Sequence, residues 1–177
     1  ATVATEGTVS ITLSGQSFAD ESITSYMSEQ LIKNRLHPTC LCFEITETAA
    51  MSNTEAARRI ITELKEKGCR FSLDDFGTGM SSFAYLKTLP VDYLKIDGSF
   101  VRQIVEDKVS REMVSSINKI GHVMKLKTVA EYFDTDEIGL CLKAMRDDYL
   151  QGYSIARPVP IEEYIDSLDV GRSAGVG

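Results

Sequence analysis

The sequence predicts an α/β chain built on a parallel sheet, and three observations predict it. β-rich apolar runs alternate with helix-period stretches from end to end, no Pro/Ser-rich linker interrupts them, and polar residues gather where the runs stop. Strand candidates fall at 9–14, 41–46, 70–76, 93–97, 127–132 and 149–155, with helix candidates at 19–34, 54–67, 81–86, 108–124, 135–145 and 161–168. Repeated strand–helix units pair in parallel, either doubly wound or closed into a TIM-type (β/α)8 barrel. The pattern leans to the barrel, because Glu44, Asp74, Asp75, Lys95, Asp97, Glu131 and Gln151 cluster at strand ends, and in a barrel those ends converge on one mouth. A complete barrel takes eight units and about 250 residues. About six units in 177 residues make this one incomplete, with N-terminal strands missing.

The helix at 54–67 shows the local logic. Ala56, Ile60, Ile61 and Leu64 form an apolar stripe, Glu55, Arg58, Glu63, Lys65 and Glu66 take the other faces, Asn53 or Ser52 caps the start, and Gly68 suits a left-handed end. Residues 1–168 read as one partial barrel domain and 169–177, small and Gly-rich, as a flexible tail.

Composition narrows the function. With 26 Asp+Glu against 19 Lys+Arg and a net charge of −7, the chain is a poor sequence-blind binder of nucleic-acid backbone, so no DNA partner is expected. No apolar stretch of 18 residues and no basic-apolar leader is present, which predicts no membrane span or secretory signal in this segment and a cytoplasmic location. Cys40, Cys42, Cys69 and Cys141 lack a C-x-x-C pair and read as small buried apolar residues in a reducing compartment, with Cys40 and Cys42 on one strand face. His37 and His122 are the only histidines, so a metal here would be a hard cation held by oxygen.

The run Phe71–Gly79 places Asp74 and Asp75 where an apolar strand breaks into a glycine-flanked turn. Adjacent side chains on a regular strand face opposite ways, so both reach the mouth only if the strand unwinds at Asp75. The alternative is that one of them caps the short helix near Ser81. Gathered with Glu44 and Glu131, the aspartates need counter-charge, because like charges about 4 Å apart repel by roughly 4 kcal/mol at an effective dielectric near 20. Two divalent ions would supply it and would also suit phosphodiester hydrolysis. Lys95 can orient or activate water, offset developing charge, or simply pair with a neighbouring carboxylate. Glu47 lies beyond its strand, positioned to brace the glycine loop, and the Gln151 amide could meet a base edge or the backbone. A barrel lyase using Lys95 as base is a third, fold-based reading.

Glu44-Ile45-Thr46-Glu47, Asp74-Asp75-Phe76-Gly77-Thr78-Gly79, Leu94-Lys95-Ile96-Asp97, Thr128-Val129-Ala130-Glu131 and Gln151-Gly152-Tyr153, in that order, resemble the EAL domain of bacterial cyclic di-GMP phosphodiesterases. The resemblance implies a (β/α)8-type barrel with an antiparallel first strand, hydrolysing cyclic di-GMP to linear pGpG with Mg²⁺ or Mn²⁺. By the same resemblance Glu44 is a first-metal ligand, Asp74 bridges both metals, and Asp75 and Glu131 bind the second. Lys95 holds the catalytic water, and Lys95, Glu131 and Asp74 form the catalytic set. Glu47, Gly77 and Gly79 stabilise the loop, and Gln151 and Asp97 approach the nucleotide. A homodimer, or other domains of a longer parent chain, are the partners it implies.

Two departures stand out. No Glu-Ala-Leu tripeptide occurs in the 177 residues, so that strand is expected upstream of Ala1, and Thr12 occupies the metal-binding Asn position of the family's Asn-Leu-Ser strand. A Thr hydroxyl is a shorter, poorer donor to a divalent cation than an amide carbonyl. The first metal site is therefore expected to be degenerate at Thr12, leaving a chain inactive or impaired by itself, or a non-catalytic cyclic di-GMP receptor.

Overall fold

A computed structural model describes residues 7–18, 20, 22–78 and 83–173, with side chains at the carboxyl end described through 167. Strands β1 (Val9–Leu13), β2 (Leu41–Thr46), β3 (Arg70–Phe76), β4 (Tyr93–Ile96), β5 (Lys127–Ala130) and β6 (Tyr149–Leu150) form one sheet in the order β1-β2-β3-β4-β5-β6. All five neighbouring pairs are parallel. That order decides between the two parallel architectures. A doubly wound sheet reverses direction at a switch point, whereas here every connection steps one strand the same way. Right-handed crossovers then put all helices on one face, which is barrel-type winding.

The helices are α1 (Ile23–Lys33), α2 (Glu47–Ser52), α3 (Thr54–Glu66), α4 (Phe83–Leu86), α5 (Gly98–Val101), α6 (Lys108–Val123), α7 (Asp136–Met145) and α8 (Ile161–Ser173). Ala57, Ile60, Ile61 and Leu64 of α3 are buried, and Asn53 caps that helix by accepting from the Ala56 amide at 3.1 Å. Gly68 takes the left-handed φ of 102° that its end requires.

The two faces of the sheet differ in chemistry. Phe43, Ile45, Phe71, Leu73, Leu94 and Ile96 face the helices and are fully buried. Period-two alternation sends Ser10, Cys42, Glu44, Arg70, Ser72, Tyr93, Lys95 and Tyr149 to the other face, where they line an open concavity of about 280 Å³. In a closed barrel such inward side chains fill the interior as packed layers.

Several expected boundaries move, each for a local reason. β4 stops at Ile96 because Asp97 caps α5, and β5 stops at Ala130 because Tyr132 takes a left-handed φ of 55°. β6 is only Tyr149–Leu150, since Gly152–Ile155 form a turn with the Ile155 amide on the Gly152 carbonyl at 3.0 Å. α1 begins at Ile23, not residue 19, and α8 runs to Ser173, across the domain boundary expected at 168. Helices α2 and α5 were not expected. Cys42 and Cys69 are buried, but Cys40 and Cys141 are only half-buried, and Cys40 sits in the turn Pro38–Cys40 before β2 rather than on its face. All four are free thiols. Among the described residues no helix is long and apolar enough to cross a membrane.

Candidate metal centre

β3 supplies the first half of the centre by breaking its own regularity. Asp75 has a φ of 55°, and the pairing of β3 with β4 shifts between Leu73 and Phe76. Such a bulge re-aims side chains at a strand end. Asp74 and Asp75, neighbours in sequence, therefore turn to one side, and together with Glu131 they bring one carboxylate oxygen each within 4.8 Å of one another. Asp74 also accepts from the Asp75 amide at 3.0 Å, which fixes the turn.

Lys95 stands in the middle of this charge. Its Nζ lies 2.8 Å from Glu131, 2.9 Å from Asp74 and 3.4 Å from Glu44, with the side chain 5% exposed. An ammonium has three donors, and three carboxylates surround them. Burial alone would pull its pKa down, but the bonds to Glu131 and Asp74 outweigh burial and hold Lys95 protonated. Lys95 therefore stands as a charged donor that offsets and orients the carboxylates around it. Burial pushes the Glu131 carboxyl up despite the ammonium, and burial followed by the Asp74 and Asp97 carboxylates pushes Asp75 up. Both shifts come first from burial, with the neighbouring carboxylates adding to them and Lys95 opposing them.

Glu44 reaches the group through Lys95 rather than through the three-carboxylate set. Thr12 is its register partner on β1, so the Thr12 hydroxyl stands directly beside Glu44 in the sheet. Glu47 opens α2 and is 1% exposed, and its Oε2 accepts from the Gly77 amide at 3.0 Å. Gly77 has a φ of 110°, and a Cβ there would come within 2.9 Å of Phe100, so only glycine closes the loop onto Glu47 in this way. Gly79 lies outside the described residues. Asp97 caps α5, accepting from the Ser99 amide at 2.8 Å and from the Ser99 hydroxyl. Gln151 lies one residue past β6, its backbone held by Ala130 and Phe133 while its side chain is exposed at the edge of two concavities. Sequence reasoning missed Tyr132 and Arg102, whose stacked pair adjoins Glu131. Nothing in the sequence signals a left-handed tyrosine.

The donor set fits a divalent cation. Three carboxylates converge with more negative charge than Lys95 cancels, and hard oxygen donors suit Mg²⁺, Mn²⁺ or Ca²⁺. A larger concavity of about 630 Å³ lies between Phe76 and α6, but it is lined chiefly by apolar residues such as Phe83, Val109 and Met113 and gathers no carboxylate cluster.

A sequentially ordered parallel sheet with acidic residues at the carboxyl ends of its strands is the class of (β/α)-barrel that carries its chemistry at that face. The EAL domain family matches residues 3–158, and the chain belongs to that family. It is 39% identical over 161 residues to the cyclic di-GMP phosphodiesterase PdeB of Shewanella oneidensis, covering 91% of this chain and 19% of that protein. To PdeF of Escherichia coli it is 36% identical over 164 residues, covering 93% and 22%. The chain thus spans about a fifth of the length of these relatives. Among solved structures it superimposes on the PaMucR phosphodiesterase in its c-di-GMP complex with a TM-score of 0.83 and 35% identity, covering 89% of this chain and 64% of that one. The EAL domain of Mycobacterium smegmatis DcpA gives a TM-score of 0.84 at 29% identity, covering 93% and 74%.

Proposed function

We propose that this chain carries the metal-binding mouth of a cyclic di-GMP phosphodiesterase, opening the cyclic dinucleotide to linear pGpG, and that by itself it turns over slowly. The observation that carries the reading is the convergence of Asp74, Asp75 and Glu131 around Lys95 at the carboxyl ends of three different strands. Relatives named for cyclic di-GMP hydrolysis support the choice of substrate.

Asp74, Asp75 and Glu131 would hold Mg²⁺ or Mn²⁺, with Glu44 and Asp74 serving a second ion. When bound, such ions acidify a water and stabilise the charge of an in-line displacement at phosphorus. Lys95 orients the carboxylates and offsets negative charge at the reacting phosphate. Glu47, through the Gly77 amide, keeps the loop carrying Asp75 in place. Gln151 and Asp97 flank the nucleotide. Two copies pair through the surface beside the Asp75–Thr78 turn, where the apolar concavity lies.

Slow turnover follows from Thr12. Beside Glu44 it offers only a short hydroxyl, a poor donor to any ion that Glu44 and Asp74 would hold. The same observation favours a second reading, a receptor that binds cyclic di-GMP without cleaving it. Chromatography for pGpG after incubation with Mg²⁺ or Mn²⁺, paired with calorimetry of cyclic di-GMP binding in Ca²⁺, tests both. Product identifies the phosphodiesterase, binding without product identifies the receptor, and neither product nor binding overturns the nucleotide reading altogether.

A further inference from the structure

Tyr132 follows Glu131 directly and holds a left-handed φ of 55°, a conformation a bulky side chain rarely adopts. Strain of this kind persists only where surrounding contacts enforce it, and it concentrates at ligand-binding positions. Here two contacts enforce it. The Arg102 guanidinium carbon lies 3.5 Å from the ring centroid, covering one face. A Cβ on Gly98 would overlap Cδ2 of the ring and lie 2.8 Å from both of that carbon's ring neighbours, Cγ and Cε2. Equal distances to the two flanking carbons put Gly98 at the ring's edge, in its plane. The ring is thus clamped on one face and one edge, while Tyr132 remains 42% exposed and lines a concavity that does not include Arg102.

That ring borders a small concavity of about 180 Å³ lined by Glu131, Tyr132, Asp134, Gln151, Gly152 and Tyr153. The concavity is rigidly built. The Phe133 amide donates to the Gln151 carbonyl at 3.0 Å, the Ser154 amide to the Phe133 carbonyl at 3.0 Å, and the Tyr153 amide to Asp134 Oδ1 at 3.1 Å. Its other wall repeats the motif, with Arg157 5.3 Å from the centroid of Tyr153. The volume falls below the roughly 300–1,000 Å³ of pockets that engulf a whole ligand, so it takes a part of one.

We propose that Tyr132, backed by Arg102, is a purine-stacking platform: one nucleobase of the bound nucleotide lies on the free face of its ring while Gln151 meets the base edge. Arginine on the far face serves two ends. It fixes the ring in a strained pose before the ligand arrives, and it brings positive charge to an acidic mouth that must admit an anionic phosphodiester. The inference rests on the nucleotide reading of the mouth and adds to it the residue that grips the base.

The test uses cyclic di-GMP and its 2-aminopurine analogue, in Ca²⁺, with the chain and its Tyr132→Gly and Tyr132→Phe variants. Glycine relieves the left-handed backbone, so Tyr132→Gly is expected to fold at least as well as the parent. A lost base stack should weaken its binding roughly 5- to 150-fold. Tyr132→Phe keeps the ring and should bind within about twofold of the parent. Stacking also quenches 2-aminopurine fluorescence, so the parent and Tyr132→Phe should quench the bound analogue and Tyr132→Gly should not. Equal binding and quenching by Tyr132→Gly would overturn the platform while leaving the nucleotide reading intact. A parent chain that binds neither ligand would sink both.

Discussion

The molecule carries two clusters of charge at opposite ends of the same strands, and they are balanced differently. At the carboxyl ends, Glu44, Asp74 and Glu131 share the single ammonium of Lys95, with Asp75 beside them. At the amino ends of β5 and β6, Asp148 alone is served by Lys127 at 2.6 Å, His122 at 2.8 Å and the Thr128 amide at 3.0 Å. Burial would raise its pKa, but those donors bring it down to about 2. Around it Asn118 donates to the Met145 carbonyl and accepts from the Thr128 hydroxyl, tying α6 to β5 and the end of α7. A satisfied network of this kind fastens elements together. A cluster left with surplus charge is poised for an ion. In barrels generally, the carboxyl face serves reactivity and the amino face serves stability, and this chain writes the division in its donor counts.

The comparison breaks most visibly at Lys95. Lys95→Met strands three partly buried carboxylates without counter-charge and should cost about 3–5 kcal/mol in urea unfolding without metal. Millimolar Mg²⁺ or Mn²⁺ should restore part of the loss. The parent itself should gain about 2.7 kcal/mol from a cation at one hundred times its dissociation constant, seen as a rise in melting temperature, and Glu131→Gln should abolish the gain. No such response is expected from Asp148→Asn, which removes the other cluster's acceptor and should cost about 1–3 kcal/mol with or without cation.

Asp147 sharpens the comparison, because it is the exception at the stable end. Its carboxylate oxygens are buried, and burial pushes its pKa up to about 7, with His122 and the Thr128 hydroxyl pulling only weakly the other way. The folded state therefore holds a proton that the unfolded chain releases near pH 3.8, so stability falls as pH rises between about 4 and 7 and levels off above. Asp147→Asn should gain about 1–3 kcal/mol at pH 8, and the gain should shrink as pH drops toward 5, measured by denaturant unfolding across that range. The smallest expected effect lies away from both clusters: Asn53→Ala removes the α3 cap and should cost about 1 kcal/mol without altering cation response.

What the sequence shows and what it hides follow a physical line. Strand cores were legible because six apolar β-rich runs alternate with amphipathic stretches, and the carboxylates were legible because they interrupt those runs at the same end. The ends of β2 and β3 were legible too, but those of β1, β4, β5 and β6 were not. Asp97 looks like the last residue of a strand yet caps a short helix, accepting from the Ser99 amide, and Thr46, a true strand end, also caps one, accepting from the Ala49 amide. Helices of six and four residues, α2 and α5, are too short to show a hydrophobic period. Tyr132 was read as strand because its propensity is strand-like, and only tertiary contact with Gly98 and Arg102 turns it left-handed. Likewise the surplus of negative charge at the mouth emerges only once Lys95 is seen among three acids.

The strictly successive pairing of β1 through β6 also bears on how the polypeptide is made. Each strand lies only against those immediately before and after it, so the sheet can accrete one unit at a time in the direction of translation, with each newly emerged segment finding its template already laid down. Growth by accretion leaves two raw margins until the sheet closes, and the nascent barrel is most vulnerable to sticking to its neighbours while the newest margin awaits its next strand.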